Sequence, residues 1–263
     1  MKNKSGVRIL QYAILAVCAV VFLVCAVLLI RAGIDYSKAN SFYDGITLDV
    51  QQGEDSPSED DEIPANIRSH MEAYRALKKE YPNIVGYISI PAVSIGYPVV
   101  QWTDNMYYTT HLITGEENRS GSIFLDFCVD PSPAKSKNLI VYGHNMNDKS
   151  MFYPIRDLFF EETFRNAQVE YICDEGVFLY ESLSVCLTDI EDPYYTYSFA
   201  NDAAFAAFVE ERAAKSRFPV EYDTPSHLIT LVTCSNAAGK PNERLVYHAA
   251  LVKTYTDFGE NDE

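Results

Sequence analysis

Leu228-Ile-Thr-Leu-Val-Thr-Cys234 is an aliphatic and β-branched run that stops at a cysteine, and Arg244-Leu-Val-Tyr-His-Ala-Ala-Leu251 starts a second such run ten residues later. Branched side chains favour strands, and Gly239-Lys-Pro-Asn-Glu243 between the runs is turn material. Two strands joined this way form a hairpin, which brings the end of the first beside the start of the second. Arg244 is therefore expected to return next to Cys234.

The same kind of segment recurs upstream. Strands are expected over Ile84–Ile90, Ser94–Gln101, Ser122–Phe127, Asn138–Tyr142, Gln168–Cys173 and Val177–Leu187, with the pair above extended to His227–Cys234 and Arg244–Thr254. Three stretches have helical spacing: Ala65–Tyr81, Ser150–Phe160 and Asp202–Ala214. In the first, Ile67, Met71, Tyr74 and Leu77 recur at intervals of three and four until Pro82-Asn83 stops the pattern. Eight strands with few helices predict an antiparallel-rich closed barrel or a sandwich.

The N-terminal quarter is different. Ala13–Ile30 is an uncharged run of 18 apolar residues, about 27 Å as a helix and close to a hydrocarbon core of roughly 30 Å. Lys2, Lys4 and Arg8 precede it, so the positive-inside rule places the N-terminus in the cytoplasm and the large domain outside. The run is long for a cleaved signal, and Ile30-Arg-Ala-Gly33 is a poor cleavage site. The expected organisation is a cytoplasmic N-terminus over 1–12, a transmembrane anchor over 13–32, a juxtamembrane segment and acidic linker over 33–64, and an extracellular catalytic domain over 65–263. A short helix is expected within 34–48, and Gln51–Pro64 is too acidic and too poor in apolar residues to fold.

The formal charge is −16, and four basic residues precede the first acid, Asp35, so the domain is more acidic still. Such a surface repels phosphate backbones and argues against nucleic-acid binding. The six cysteines include no CxxC or Cys/His pair with zinc spacing, and no acidic run demands calcium, so neither metal nor cofactor is expected. Cys128, Cys173 and Cys186 read as buried thiols, with a disulfide among them left open.

Three residues could carry chemistry. His144 follows the strand Asn138–Tyr142 and opens a polar loop. Cys234 ends its strand, and Arg244 begins the next. A thiol needs a base or cation nearby to become a nucleophile, and a guanidinium stays charged and can hold an oxyanion. Nucleophile, proton shuttle and oxyanion donor are together what thiol acyl transfer requires. Each residue also has a plainer reading: a loop histidine, a buried structural cysteine, a surface arginine paired with Glu243 or another acid. The other histidines fit less well, because His70 lies on the amphipathic helix, His111 in a loop, His227 at the far end of the cysteine strand and His248 mid-strand.

At these residues the chain resembles a family. Thr230-Leu-Val-Thr-Cys234 followed by Arg244 resembles the TLxTC…R signature of sortases, and Tyr142-Gly-His-Asn-Met146 resembles the histidine motif of class B sortases. Ile84-Val-Gly-Tyr-Ile-Ser-Ile-Pro91, Tyr97-Pro-Val-Val-Gln101 and Ser120-Gly-Ser-Ile-Phe-Leu-Asp126 are similar to class B members as well, so the likeness spans about Ala65 to Thr254. It implies a mostly β fold: an eight-stranded sortase-type β-barrel with N-terminal helices and an inserted helix, here preceded by one transmembrane helix. It implies a cysteine transpeptidase in which Cys234 attacks a Thr carbonyl of a C-terminal sorting motif on a secreted protein. An acyl-enzyme then passes to an amine of a peptidoglycan precursor or a pilin, with His144 moving the protons and Arg244 holding substrate and oxyanion. Thr233, Val232, Ser235, Asn105, Thr109 and Tyr195 are the expected substrate contacts, the last within a loop over Asp189–Tyr197. Val232 stands where class B members often carry Ser, and Ser235 where an acid is common.

Two other classes remain open from the residues alone. A thiol hydrolase would want a third group to orient the histidine, and Asn145 is expected to point elsewhere; products with and without an amine acceptor separate it from a transpeptidase. An anchored binding module would leave Cys234 inert, which its alkylation rate against that of Cys173 would reveal.

Overall fold

The computed structural model of the chain describes residues 4–48 and 63–258. Helix α1 spans Lys4–Ile46 and helix α2 spans Ala65–Glu80. Strands follow at β1 Ile84–Ile90, β2 Ile95–Val100, β3 Ile123–Leu125 and β4 Asn138–Tyr142. Helix α3 is Glu161–Asn166; then come β5 Gln168–Cys173, β6 Gly176–Asp189, helix α4 Asp202–Ala214, β7 Leu228–Cys234 and β8 Glu243–Tyr255.

The eight strands close into a barrel in the order β1-β2-β3-β4-β7-β8-β6-β5. Most neighbours are antiparallel, but β2 with β3 and β4 with β7 run parallel. Parallel neighbours need a long crossover. That between β4 and β7 contains α3, β5, β6 and α4, which is why the strands that precede His144 and end at Cys234 are far apart in the chain, one ending at Tyr142 and the other starting at Leu228, and yet touch.

The helical expectations hold unequally. The helix over Asp202–Ala214 is found with those limits, capped by the Asn201 side chain accepting from the Ala204 amide. The expected helix over Ser150–Phe160 is instead a 3-10 turn over Tyr153–Phe159. Phe160 is extended, with ψ 127°, and breaks it from α3. The α2 stripe of Ile67, Met71, Tyr74 and Leu77 packs against the barrel, joined by His70, whose Nδ1 lies 3.0 Å from the carboxylate of Glu170 on β5.

At the N-terminus the apolar run and the expected juxtamembrane helix are one continuous helix. Its apolar face is exposed through Ile30, and it is long and apolar enough to cross a membrane. Its last turns dock on the barrel. Ala39 and Tyr43 are buried, the Tyr43 hydroxyl bonds Gly121 and Ser122, and Asn40 donates to Asp148. Residues well before 65 are thus packed as part of the barrel's body. Most of the acidic linker, from 49 to 62, lies outside the described residues, but the chain is attached to the barrel before reaching it, so α1 is the connection between apolar run and domain.

The cysteines of the described residues are all free; Cys173 is buried, Cys186 half-buried and Cys128 exposed, the last against expectation because it sits in the turn after β3. Two buried histidines stay neutral. Burial pushes His227 down to about 4 and His248 down to about 3. An unfolded histidine takes up its proton near pH 6.5. Between that value and the folded ones the unfolded chain binds more protons, so stability falls as pH drops from about 6.5 towards 4. Urea midpoints of the detergent-solubilised chain across this window should show it, and His227→Gln should flatten the slope by up to about 1.4 kcal/mol per pH unit.

Candidate active site

The parallel register of β4 and β7 fixes the site. Tyr142 lies opposite Val232, and the Gly143 amide continues the ladder by donating to the Val232 carbonyl at 3.2 Å. Both strands therefore end at the same mouth of the barrel. His144 leaves β4 there, and Cys234 ends β7 there. Strand β8 runs antiparallel to β7 with Arg244 directly opposite Cys234, as the hairpin reading requires. Three neighbouring strands thus deliver the thiol, the imidazole and the guanidinium to one cleft of about 310 Å³. All three side chains are half-buried.

Small contacts hold this geometry. Gly143 has no room for a side chain, since a Cβ would lie 2.4 Å from Ile123 Cδ1 and 2.7 Å from the Phe152 ring. His144 Nε2 is 2.7 Å from the Thr109 carbonyl oxygen. A carbonyl only accepts, so Nε2 carries the hydrogen and the lone pair of the neutral ring is on Nδ1. Asn145 does point away from His144: its Nδ2 donates to the Cys234 carbonyl at 2.7 Å, while Asn236 donates to the Asn145 carbonyl at 2.7 Å. The loops leaving β4 and β7 are tied to each other, and the backbone of the thiol is braced.

Arg244 is not a surface arginine paired with Glu243. The carboxylate of Glu243 is taken by Lys240 at 2.8 Å. Arg244 Nη1 donates to the carbonyls of Pro241 and Glu243 at 3.0 and 3.1 Å. A guanidinium has five N–H donors, and those on Nη2 and Nε have no partner among the described residues.

Of the expected substrate contacts, Asn105, Thr109, Val232 and Thr233 line the cleft, whereas Ser235 and Tyr195 do not. Tyr194 lines it instead, with Ile190. The two adjacent tyrosines sit in a 3-10 turn over Pro193–Tyr195, which buries Tyr194 and leaves Tyr195 exposed. Burial raises the Tyr194 phenol pKa, and the nearby Arg244 charge opposes that rise. Asn105 and Tyr142, which both line the cleft, both bond the Asp126 carboxylate, at 2.9 and 3.1 Å. The Thr233 hydroxyl is buried and unpartnered among the described residues. No group of three or more His, Cys, Asp or Glu among the described residues is arranged to hold a metal ion.

With this geometry, the comparisons with known proteins decide the family. The family model described as Sortase domain matches residues 88–252, from β1 through most of β8. The chain belongs to the sortase family. Its class is B. It is 29% identical over 184 residues to sortase B of Staphylococcus aureus, covering 68% of this chain and 75% of that one. It is 29% identical over 197 residues to sortase B of Listeria monocytogenes, covering 73% and 79%. Among solved structures, sortase B from B. anthracis in complex with AAEK1 superposes with a TM-score of 0.67 at 30% identity, covering 84% of this chain and 99% of that one. The chain is a sortase cysteine transpeptidase.

Because Gly143 packs against Ile123 and Phe152, Gly143→Ala should destabilise this sortase by about 1–3 kcal/mol through overpacking. Thermal unfolding should show a lowered midpoint, and alkylation of Cys234 should change with it, because the same residue sets where β4 releases His144.

Proposed function

We propose that this sortase cleaves a C-terminal sorting motif of a secreted protein through a thioester on Cys234 and transfers it to an amine of the cell wall or of a pilin. The observation that supports the reading most directly is the convergence of Cys234, His144 and Arg244 on one cleft from the ends of three adjacent strands.

The steps follow from the chemistry of those groups. The Cys234 thiol gives its proton to the Nδ1 lone pair of His144, the sulfur adds to the carbonyl of the motif's Thr, and the carbonyl π electrons move to oxygen. The free N–H groups of Arg244 stabilise that oxyanion, a role that mutations elsewhere value at about 3–4 kcal/mol per donor. Collapse breaks the C–N bond, and the leaving amine takes a proton from His144 Nδ1. The acceptor amine then adds to the thioester, returns a proton to Nδ1, and expels the thiolate. The Nε2–Thr109 bond keeps the ring oriented through both halves. Val232, Thr233, Asn105 and Tyr194 shape the walls for the motif, and Ser235 and Tyr195 lie outside the lining and are assigned to its rim. Among the relatives, one solved structure is a Staphylococcus aureus sortase B–substrate complex and another is a sortase B complexed with triglycine. These complexes favour a peptide donor and an amine-bearing acceptor for this chain too. The apolar part of α1 is the membrane anchor, with the basic N-terminus inside the cell and the barrel outside.

Three experiments test the assignment. Cys234→Ala should leave the barrel folded and abolish acyl-enzyme formation; an adduct detected by mass spectrometry in that variant would sink the nucleophile. Arg244→Lys should lower turnover at least about tenfold, because a point charge cannot reproduce the planar fork; wild-type turnover would remove its oxyanion role. A cleavage screen against a library of sorting pentapeptides, with and without triglycine, identifies the motif and separates transfer from hydrolysis.

A further inference from the structure

Helix α4 carries a charge where its pattern calls for a hydrophobe. Phe205, Phe208, Val209 and Arg212 form its buried stripe, at the three-and-four spacing of a core-facing helix, and Arg212 is only 1% exposed. Burying a guanidinium is costly, and an apolar residue of similar volume is often as stabilising. What the charge adds is direction.

Arg212 Nη1 lies 2.5 Å from Asp192 Oδ1, and the other carboxylate oxygen accepts from Lys215 Nζ at 2.8 Å and from the Thr188 hydroxyl at 2.5 Å. Burial alone would raise this carboxyl, but the bonds from Lys215, Thr188 and Arg212 outweigh it and hold Asp192 down to about 2. Asp192 begins the segment that walls the cleft. Its carbonyl accepts from the Tyr194 amide at 2.8 Å. The far end of that segment is tied as well: the Thr196 carbonyl accepts from Asn138 Nδ2 at 2.9 Å, and Asn138 Oδ1 accepts from the Thr230 hydroxyl at 2.6 Å. Thr230 in turn accepts from His248 Nδ1 at 2.8 Å. Tyr194 is the large side chain this segment buries, while Tyr195 within it and Ile190 and Tyr197 on either side stay exposed. A segment with so little apolar burial of its own depends on its end anchors for its position.

We infer that Arg212 and Asn138 are positioning residues for transpeptidation: through Asp192 and Thr196 they clamp the segment 192–196 at both ends and so set Tyr194 in the cleft beside Arg244. The inference rests on the assignment of Cys234 and Arg244 to the reaction. Neither anchor touches the cleft; both act through Tyr194.

The test uses the full chain in detergent. Arg212→Met should raise hydrogen exchange of the amides of Asp192 and 194–196 at least about tenfold while the β7 amides keep their protection. With an internally quenched peptide bearing the pentapeptide selected by the library screen, KM should rise about tenfold with a smaller change in kcat. Arg212→Lys should recover part of the loss. In a Tyr194→Ala background the same substitution should add little to KM, because the route is already cut. Unchanged exchange at 192–196, or equal KM effects with and without Tyr194, would overturn the inference. If Arg212→Met does not fold, the outer anchors decide instead: Thr188→Val combined with Lys215→Met should move exchange and KM in the same direction by about threefold, and no movement would overturn it. A wild-type chain that forms no acyl-enzyme on Cys234 defeats the proposed function, whereas an active wild type with an unaltered Arg212→Met variant defeats only the clamp.

Discussion

The parallel ladder between β4 and β7 is the constraint on which the site depends. Five residue pairs, from Asn138 with Leu228 to Tyr142 with Val232, align two strands so that they point the same way and stop together. A one-residue slip would turn every side chain to the opposite face. His144 and Cys234 would then leave the barrel on different sides. The ladder is buried on both faces, as parallel pairs usually are, and the hydrophobic pattern of both runs enforces its register.

From that ladder the rest follows by short-range bonds. Strand β8 needs only a turn to place Arg244 against Cys234. Two asparagines, Asn145 and Asn236, then tie the loop beyond one strand to the loop beyond the other. A peptide carbonyl from the 3-10 turn over Tyr107–Thr109 completes the set by fixing the imidazole. Thiol acyl transfer needs these groups held to within a fraction of an ångström. Here strand ends provide the coarse placement, and main-chain and amide bonds provide the fine one.

Much of this was legible in the sequence, for physical reasons. The period of the strands, the turn after Cys234 and the ten-residue return to Arg244 are local signals, and local signals survive in sequence. So does the helix over Asp202–Ala214. What was not legible came from distant parts of the chain. The partner of His144 is the carbonyl of Thr109, and a carbonyl is present at every residue, so no side chain advertises it. Tyr194 and Tyr195 are the same residue type in neighbouring positions, and which one enters the cleft is decided by the pitch of a 3-10 turn. Arg212 looks like any helix-surface arginine until Asp192 is seen beneath it. The parallel pairing of β2 with β3 has no sequence signature at all in a strand of three residues.

The continuity of α1 has a consequence for where the enzyme works. From Ile30, the last residue of the apolar run, to Tyr43, which is seated on the barrel, the chain is helical throughout. Thirteen steps of helix span about 20 Å. A helix of that length is a strut and not a string. With the apolar run set in a membrane as proposed, such a strut would hold the cleft at one height and one tilt above the lipid surface, and reach would fall to the substrates: a donor protein would have to present its cleavage point at that height, and an acceptor would have to arrive within the same thin layer.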